Sequence, residues 1–334
     1  MDSIISCRWM RGMICRKAVL LFVFRCSVSL WIGAASFASG QGTVPQKAPA
    51  GSTSKTVIDL NTEELRAAYP GEFGHFAFAD NQQELARLLK KVGENVEAFF
   101  RNIPNTSSKE QIFLQRLRLG RVQASAGSEF SYLLLVPSDH EEIIFKEDRV
   151  DSKGHAIELT DRNRAPSAEL ERLSQFVLTA GFAGCQFFLH PSHQSGSLFR
   201  YLGRQTSGAR FQVMAFAQKQ EAGDFLTAIH GSQDLTPVLL QGLIWVDPLT
   251  SQIVRMRTDL LEPDSKDGVK RQATEVWFSE IHFTAMAQSF WLPRRVVVTT
   301  ERGQDTFRNE HGYSDYRLFT VESSSKVTLP QIKK

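Results

Sequence analysis

Few residues in this chain stand close enough together to do covalent chemistry. His190-Pro191-Ser192-His193 is the one close histidine pair. At helical i, i+3 spacing two imidazoles could share a metal, but Pro191 biases His190 away from helix. No acidic or cysteine ligand follows at a usual spacing, so the segment reads as a loop. Serines adjoin histidine in HQSGS (193–197). No Gly-x-Ser-x-Gly elbow occurs, and loops favour these residues for their turn geometry. The pairs Glu63-Glu64 and Glu141-Glu142 fall at a helix start and on a polar strand edge, where acids are ordinarily solvated. Neither a phosphate-binding loop nor a dinucleotide fingerprint is present. No catalytic residue, metal ligand or cofactor is expected.

The N-terminus has a separate purpose. Arg8, Arg11, Arg16 and Lys17 precede an apolar run from Ala18, and Ser36-Phe37-Ala38 resembles a cleavage site of the A-x-A kind. Residues 1–38 therefore read as a signal peptide, with export to the periplasm or the medium. Arg25 interrupts the run. As a membrane anchor, Ala18–Ala38 is just long enough to span, but a central arginine would cost about 2.5–3.5 kcal/mol. Met10 or Met13 would also serve as a start. A lipid anchor on Cys26 is disfavoured by Arg25 before it. Without the five basic and one acidic residues of this segment, the remainder holds 34 basic against 35 acidic residues. No basic tract points to nucleic acid. Cys7, Cys15 and Cys26 all lie in the signal. Cys185 is left alone, without a basic neighbour to activate it, and reads as a small buried hydrophobe.

The elements beyond it divide into three parts. Residues 39–56 are rich in Gly, Pro, Ser, Ala and Thr and read as a disordered linker. Residues 57–109 read as a helical segment. In one helix Asn61 and Glu64 have the spacing of a capping box. A longer one is capped by Asp80 and stopped by Pro104. Its Leu85, Leu88, Leu89, Val92, Val96, Phe99 and Phe100 form one apolar stripe, which must lie on something. Residues 110–325 have a period near two, broken by an inserted helix near 166–182. Asp151-Ser152-Lys153-Gly154 has the composition of a hairpin turn. In GLIWVDPLTSQIVRM, Asp247 and Pro248 suit the first two positions of a type I turn. The returning strand alternates Val254, Met256, Thr258 and Leu260 with Arg255, Arg257 and Asp259, as if one side were packed and the other wet.

Consecutive strands joined by turns imply an antiparallel meander. The expected fold class is α+β: a strongly curved antiparallel sheet, an incomplete β-barrel, with helices packed on or over its concave face. The order of GLIWVDPLTSQIVRMRTDL, ATEVWFSEIHF, FWLPRRVVVTT and HGYSDYRLF resembles the closing strands of periplasmic lipoprotein-carrier proteins of the lipoprotein-localisation type. The match covers about residues 237–321. The resemblance implies a helix-capped half-barrel around an apolar cavity for acyl chains, but no functional residue transfers from it one by one.

The chain has 24 phenylalanines, and its aromatics spread through the predicted strands. They could fill a β core or line a cavity. A twelve-carbon chain would contribute roughly 10 kcal/mol at about 0.8 kcal/mol per CH₂, before association costs. The expectation is a non-enzymatic binder or carrier of a lipid-like or lipoprotein acyl group. Trp245, Met256, Trp277, Phe278, Trp291 and Phe319 are the candidate lining residues. Envelope proteins are further candidate partners, and membrane contact after cleavage would be peripheral or absent. The rival is an envelope scaffold with a filled core, exposing an apolar patch or sheet edge.

Overall fold

The two-residue period is realised as long antiparallel strands. The computed structural model describes residues 55–136, 146–154, 156–157, 173, 175–177, 179, 181–219, 228–230, 235–263 and 268–319. The signal, most of the linker and most of the helix expected near 166–182 lie outside them. The described residues fall in one unit. In chain order they form α1 (Thr62–Ala68), β1 (Phe76–Phe78), α2 (Gln83–Asn102), β2 (Thr106–Arg118), β3 (Arg121–Leu135), β4 (Lys146–Val150), β5 (Ala156–Ile157), β6 (Ser197–Gln205) and β7 (Gln212–Gln218). There follow β8 (Ala228–His230), β9 (Leu235–Pro237), β10 (Leu240–Val246), β11 (Ile253–Leu260), β12 (Val269–His282), β13 (Ser289–Arg302) and β14 (Asp305–Leu318).

Twelve strands form one sheet in the order β1-β6-β7-β10-β11-β12-β13-β14-β2-β3-β4-β5, and β8 and β9 pair separately. All pairings are antiparallel. Among the described residues the edge strands β1 and β5 do not pair with each other, and the barrel stays open. The sheet bends towards one face. β14 and β3 are separated by β2, so their backbones stand about 10 Å apart. Yet the Tyr132 and Tyr313 rings approach to 5.3 Å on that face. Side chains that converge more closely than their strands define a concave side.

The amphipathic stripe of α2 fills that side. Leu88, Val92, Val96, Phe99 and Phe100 join Tyr201, Met214, Phe216, Ile244, Val246, Met256, Val276, Phe278, Leu292, Val296 and Val298 in one buried cluster. Short 3₁₀ turns at Phe187–Leu189 and Gln194–Gly196 continue the filling. Gly93 lets them lie close. A Cβ there would stand 2.4 Å from the Gln194 amide nitrogen, which donates to the carbonyls of Leu89 and Leu189.

Several local expectations are realised. Asn61 and Glu64 exchange both capping-box hydrogen bonds at the start of α1. Asp247 Oδ1 accepts from the N–H groups of Leu249 and Thr250, both at 2.9 Å, and makes the β10–β11 turn. Gly154, at φ 82°, closes the β4–β5 turn. The start of α2 differs: the helix begins at Gln83, not after an Asp80 cap. Gln82, which precedes it, pairs its amide with the backbone of Tyr201, accepting at 2.7 Å and donating at 2.9 Å. It acts like one residue of a strand and delays the helix.

The second difference concerns the opposite face, expected to be wet. Residues 57–78 cover part of it. Leu65 of α1, Tyr69, Phe73 and Phe76 pack on Leu202, Val213, Ala215, Leu243 and Trp245. Arg200 donates to the carbonyls of Ile58 and Leu60, and Gln241 accepts from the Val57 N–H. Arg255 and Arg257 are accordingly sheltered. Arg255 forms ion pairs with Glu72 and Glu275 and lies over the Trp245 ring at 4.3 Å. The alternating arginines look solvent-facing in the sequence because the residues that cover them come some 180 positions earlier in the chain.

β6 is bulged against β7 between Tyr201 and Gly203, and Gly203, at φ 131°, pairs with Phe78 of β1. An added Cβ would lie 2.1 Å from the Ala77 carbonyl oxygen. Gly203→Ala is expected to cost about 1–3 kcal/mol through the strained backbone. Urea unfolding should show a lower midpoint, and hydrogen exchange should speed up in residues 76–78.

Candidate functional site

The sheet divides the six candidate lining residues between its faces. Met256 and Phe278, 1% and 5% exposed, lie on the concave face against the α2 cluster. Trp291 is half-buried at the edge of the same cluster. Trp245 is buried on the other face beneath residues 57–78. Trp277 shares that face, flanked by Arg255 at 5.3 Å and Arg295 at 4.9 Å. Phe319 lies just past β14, its N–H on the Asn105 carbonyl at 3.2 Å. Trp277 and Phe278 are adjacent in a strand, and adjacent side chains point to opposite faces. Pairing register then decides which one faces inward.

α2 leaves a cleft of about 80 Å³ along its edge. Val96, Phe99, Ile253, Phe290 and Trp291 supply its apolar surface, and Asn95, Asn102, Gln186, Gln252, Gln288 and Ser289 its polar surface. Asn95 donates to the Thr250 carbonyl at 3.0 Å and ties the middle of α2 to the β10–β11 turn.

The other end of the concave face holds buried charge that sequence reasoning missed. Even-numbered residues of β2 point inward: Thr106, Ser108 and Glu110, then Ile112 and Leu114. Glu110 is fully buried. Its Oε2 accepts from Arg149 Nε at 2.6 Å, and its Oε1 from Arg149 Nη2 at 3.0 Å. Oε1 also accepts from the Tyr313 hydroxyl at 2.7 Å and meets His311 Nδ1 at 2.9 Å. An ionised carboxylate only accepts, so the imidazole proton sits on Nδ1, and Nε2 accepts from the Thr179 hydroxyl at 2.9 Å. Arg149 also donates to the Thr179 carbonyl, and Asn309 donates to the Val177 carbonyl at 2.6 Å. The cluster thereby fastens Val177 and Thr179 to β2, β4 and β14. A second carboxyl, Glu147, accepts from the Tyr132 hydroxyl beside it. The available signal was parity: Glu110 is in phase with Ile112 and Leu114, as His311 is with Tyr313.

The electrostatics follow from burial. Desolvation would raise the Glu110 carboxyl, but the Arg149 charge and the hydrogen bonds outweigh it and hold it at about 2. Desolvation holds His311 below its usual 6.5 against the pull of Glu110, so the ring is neutral. Burial raises Glu147 despite the Tyr132 hydroxyl and the N–H groups of Ala183 and Gly184. Burial likewise raises the Cys185 thiol, which sits near Glu147 and is no nucleophile. His190 and His193 flank the Phe187 ring at 5.7 and 4.4 Å, and His190 is bonded to Ser192.

No protein-family model and no curated protein sequence matches the chain. Similar solved structures include an outer membrane lipoprotein-sorting protein domain from Vibrio parahaemolyticus. It is 13% identical, with a TM-score of 0.36 over 70% of this chain and 93% of that one. A DUF1329 family protein from Desulfovibrio piger is 12% identical, with a TM-score of 0.33 over 71% and 94%. A LolA superfamily protein from Nitrosomonas europaea is 10% identical, with a TM-score of 0.29 over 71% and 94%. All three overlaps are coarse, and what the chain does must be read from its own two faces.

Removing one partner of a buried ion pair leaves the other charge uncompensated. Glu110→Ala is therefore expected to lower stability by about 3–5 kcal/mol, measurable by chemical denaturation. The pH dependence has a defined sign. His311 is neutral when folded but takes up a proton below about 6.5 when unfolded, so stability falls as pH drops through that value. Glu110 adds a further loss from about 4.5 downward. Glu147 opposes it, its contribution present below about 4.5 and fading as pH rises. In a denaturation series from pH 8 to 5, His311→Gln should flatten the slope below 6.5. An unchanged slope would assign the loss to another group.

Proposed function

We propose that this is a non-enzymatic, exported binder or carrier of a lipid-like or lipoprotein acyl group. The ligand would take the concave face when α2 lifts from it. The supporting observation is that this face is apolar from β6 to β13 and that an amphipathic helix and two 3₁₀ turns cover it. Magnitudes make the exchange feasible. The five large apolar side chains that α2 buries are worth roughly 8–15 kcal/mol at about 1.5–3 kcal/mol each. A chain of about 12–16 carbons is worth roughly 10–13 kcal/mol by the same rule. An acyl chain can thus replace what α2 gives up. Met256 and Phe278 would touch it, with Trp291 at the mouth, and Phe319 would lie beyond the far end of β14. Trp245 and Trp277 would belong to the covered opposite face. The chemistry needs no catalytic group, and the buried Glu110 cluster serves as a fastening. The site of action would be the periplasm or the medium, with envelope proteins as donors or acceptors of the cargo.

A second reading, an envelope scaffold with a filled core, is favoured by one observation. The cleft beside α2 offers about 80 Å³, against roughly 300–1,000 Å³ for pockets that enclose small molecules. A cleft of that size encloses no acyl chain.

A fluorescent fatty acid, cis-parinaric acid, separates the two. The carrier reading expects saturable binding, competition by palmitate, and at least a tenfold weakening in Met256→Arg. Trp277→Ala, on the other face, should bind as the wild type does. Absence of binding, together with no co-purifying lipid by native mass spectrometry, would leave the scaffold.

A further inference from the structure

We propose that the cleft along the edge of α2 is a binding site for a neutral sugar ring. The cleft does not require α2 to move, so this inference stands apart from the acyl-chain reading. Its composition carries it. The twelve residues around it include no Asp, Glu, Lys, Arg or His. A phosphate, carboxylate or amine would find no counter-charge there. Four carboxamides converge from four places in the chain: Asn102 ends α2, Gln186 precedes the first 3₁₀ turn, Gln252 lies in the β10–β11 turn and Gln288 just before β13. Among the described residues none of these four amides bonds to another protein group.

Gln186 is only 5% exposed, but its amide is not sealed from solvent and it lines the cleft. An occupant that donates and accepts at once can take the place of water there. A carboxamide presents one acceptor and two donors, which matches vicinal hydroxyls, each both donor and acceptor. The remaining wall is aromatic. Phe290 is buried and Trp291 half-exposed at the mouth, a flat apolar surface for the C–H face of a ring. The size agrees with a partly enclosed monosaccharide. About 80 Å³ accommodates roughly six water-sized groups, about half of one sugar ring, with the rest in solvent.

The test is a titration of the full chain with glucose, galactose, mannose and N-acetylglucosamine, followed by tryptophan fluorescence and by the side-chain amide signals in nitrogen–proton correlation spectra. At least one sugar is expected to bind saturably in the millimolar range or tighter. Binding should weaken tenfold or more in Gln186→Leu and in Trp291→Ala. Gln252→Ala, at a half-exposed turn residue, should weaken it severalfold with an unchanged unfolding midpoint, which guards against loss of fold in the first two. cis-Parinaric acid uptake should be the same in Gln252→Ala as in the wild type, so failure of either site is read separately. The proposal is overturned if none of the four sugars binds, if Gln252→Ala and Gln186→Leu bind as the wild type does, or if adenosine binds at the cleft and the sugars do not.

Discussion

An open antiparallel sheet has two faces, and apolar residues on either must be kept from water. Here the chain's own segments cover much of the concave face and part of the other. On the concave side α2 offers its stripe of Leu88, Val92, Val96, Phe99 and Phe100. On the other, residues 57–78 bring Leu65, Tyr69, Phe73 and Phe76 onto Leu243 and Trp245. The rest follows from this double cover. β7 and β10 can be continuously apolar because neither of their faces meets bulk water. Arg255 of β11 can lie over tryptophan rings because the N-terminal segment brings Glu72 to it. The barrel can stay open because α2, and not strand closure, fills the hollow.

The concave face is of two kinds. Its β6–β13 portion is apolar and lies under α2. Its β14–β2–β3–β4 portion carries Glu110, Arg149, His311 and Tyr313 beside Val177 and Thr179. Buried charges are costly unless each has its partners, and Glu110 has three. Such a cluster is poor at adding net stability but demanding in geometry, since its members must meet from three strands, β2, β4 and β14. It sets where Val177 and Thr179 rest. The apolar end has no such demand, since apolar contacts are non-directional and one greasy surface can replace another there. Under the proposed function, that contrast makes α2 the exchangeable cover and the Glu110 end the fixed one.

Much of the architecture was legible in the residues. The capping box of Asn61 and Glu64, the α2 stripe and the Asp247 turn all depend on spacing within a few residues, and spacing is visible in a sequence. Asp80 failed as a cap because Gln82 found a distant partner in Tyr201. The candidate lining residues were half-legible. Trp277 and Phe278 stand side by side, and only pairing with Arg255 and Pro293 assigns their faces. The amide-lined cleft was not legible at all, because Asn102, Gln186, Gln252 and Gln288 have no periodic relation.

The sequence by itself determined the fold class, the antiparallel order and the amphipathic helix, because each is written in local periods of 2 and 3.6 residues and in turn chemistry. Only the tertiary structure decided that both faces are covered in part, that α2 occupies the hollow, and that Glu110 meets His311 across 201 positions. The reason is physical: a carboxylate's protonation and an arginine's exposure depend on what is packed against them. Those neighbours are chosen by strand register and sheet curvature, which no short window of residues contains.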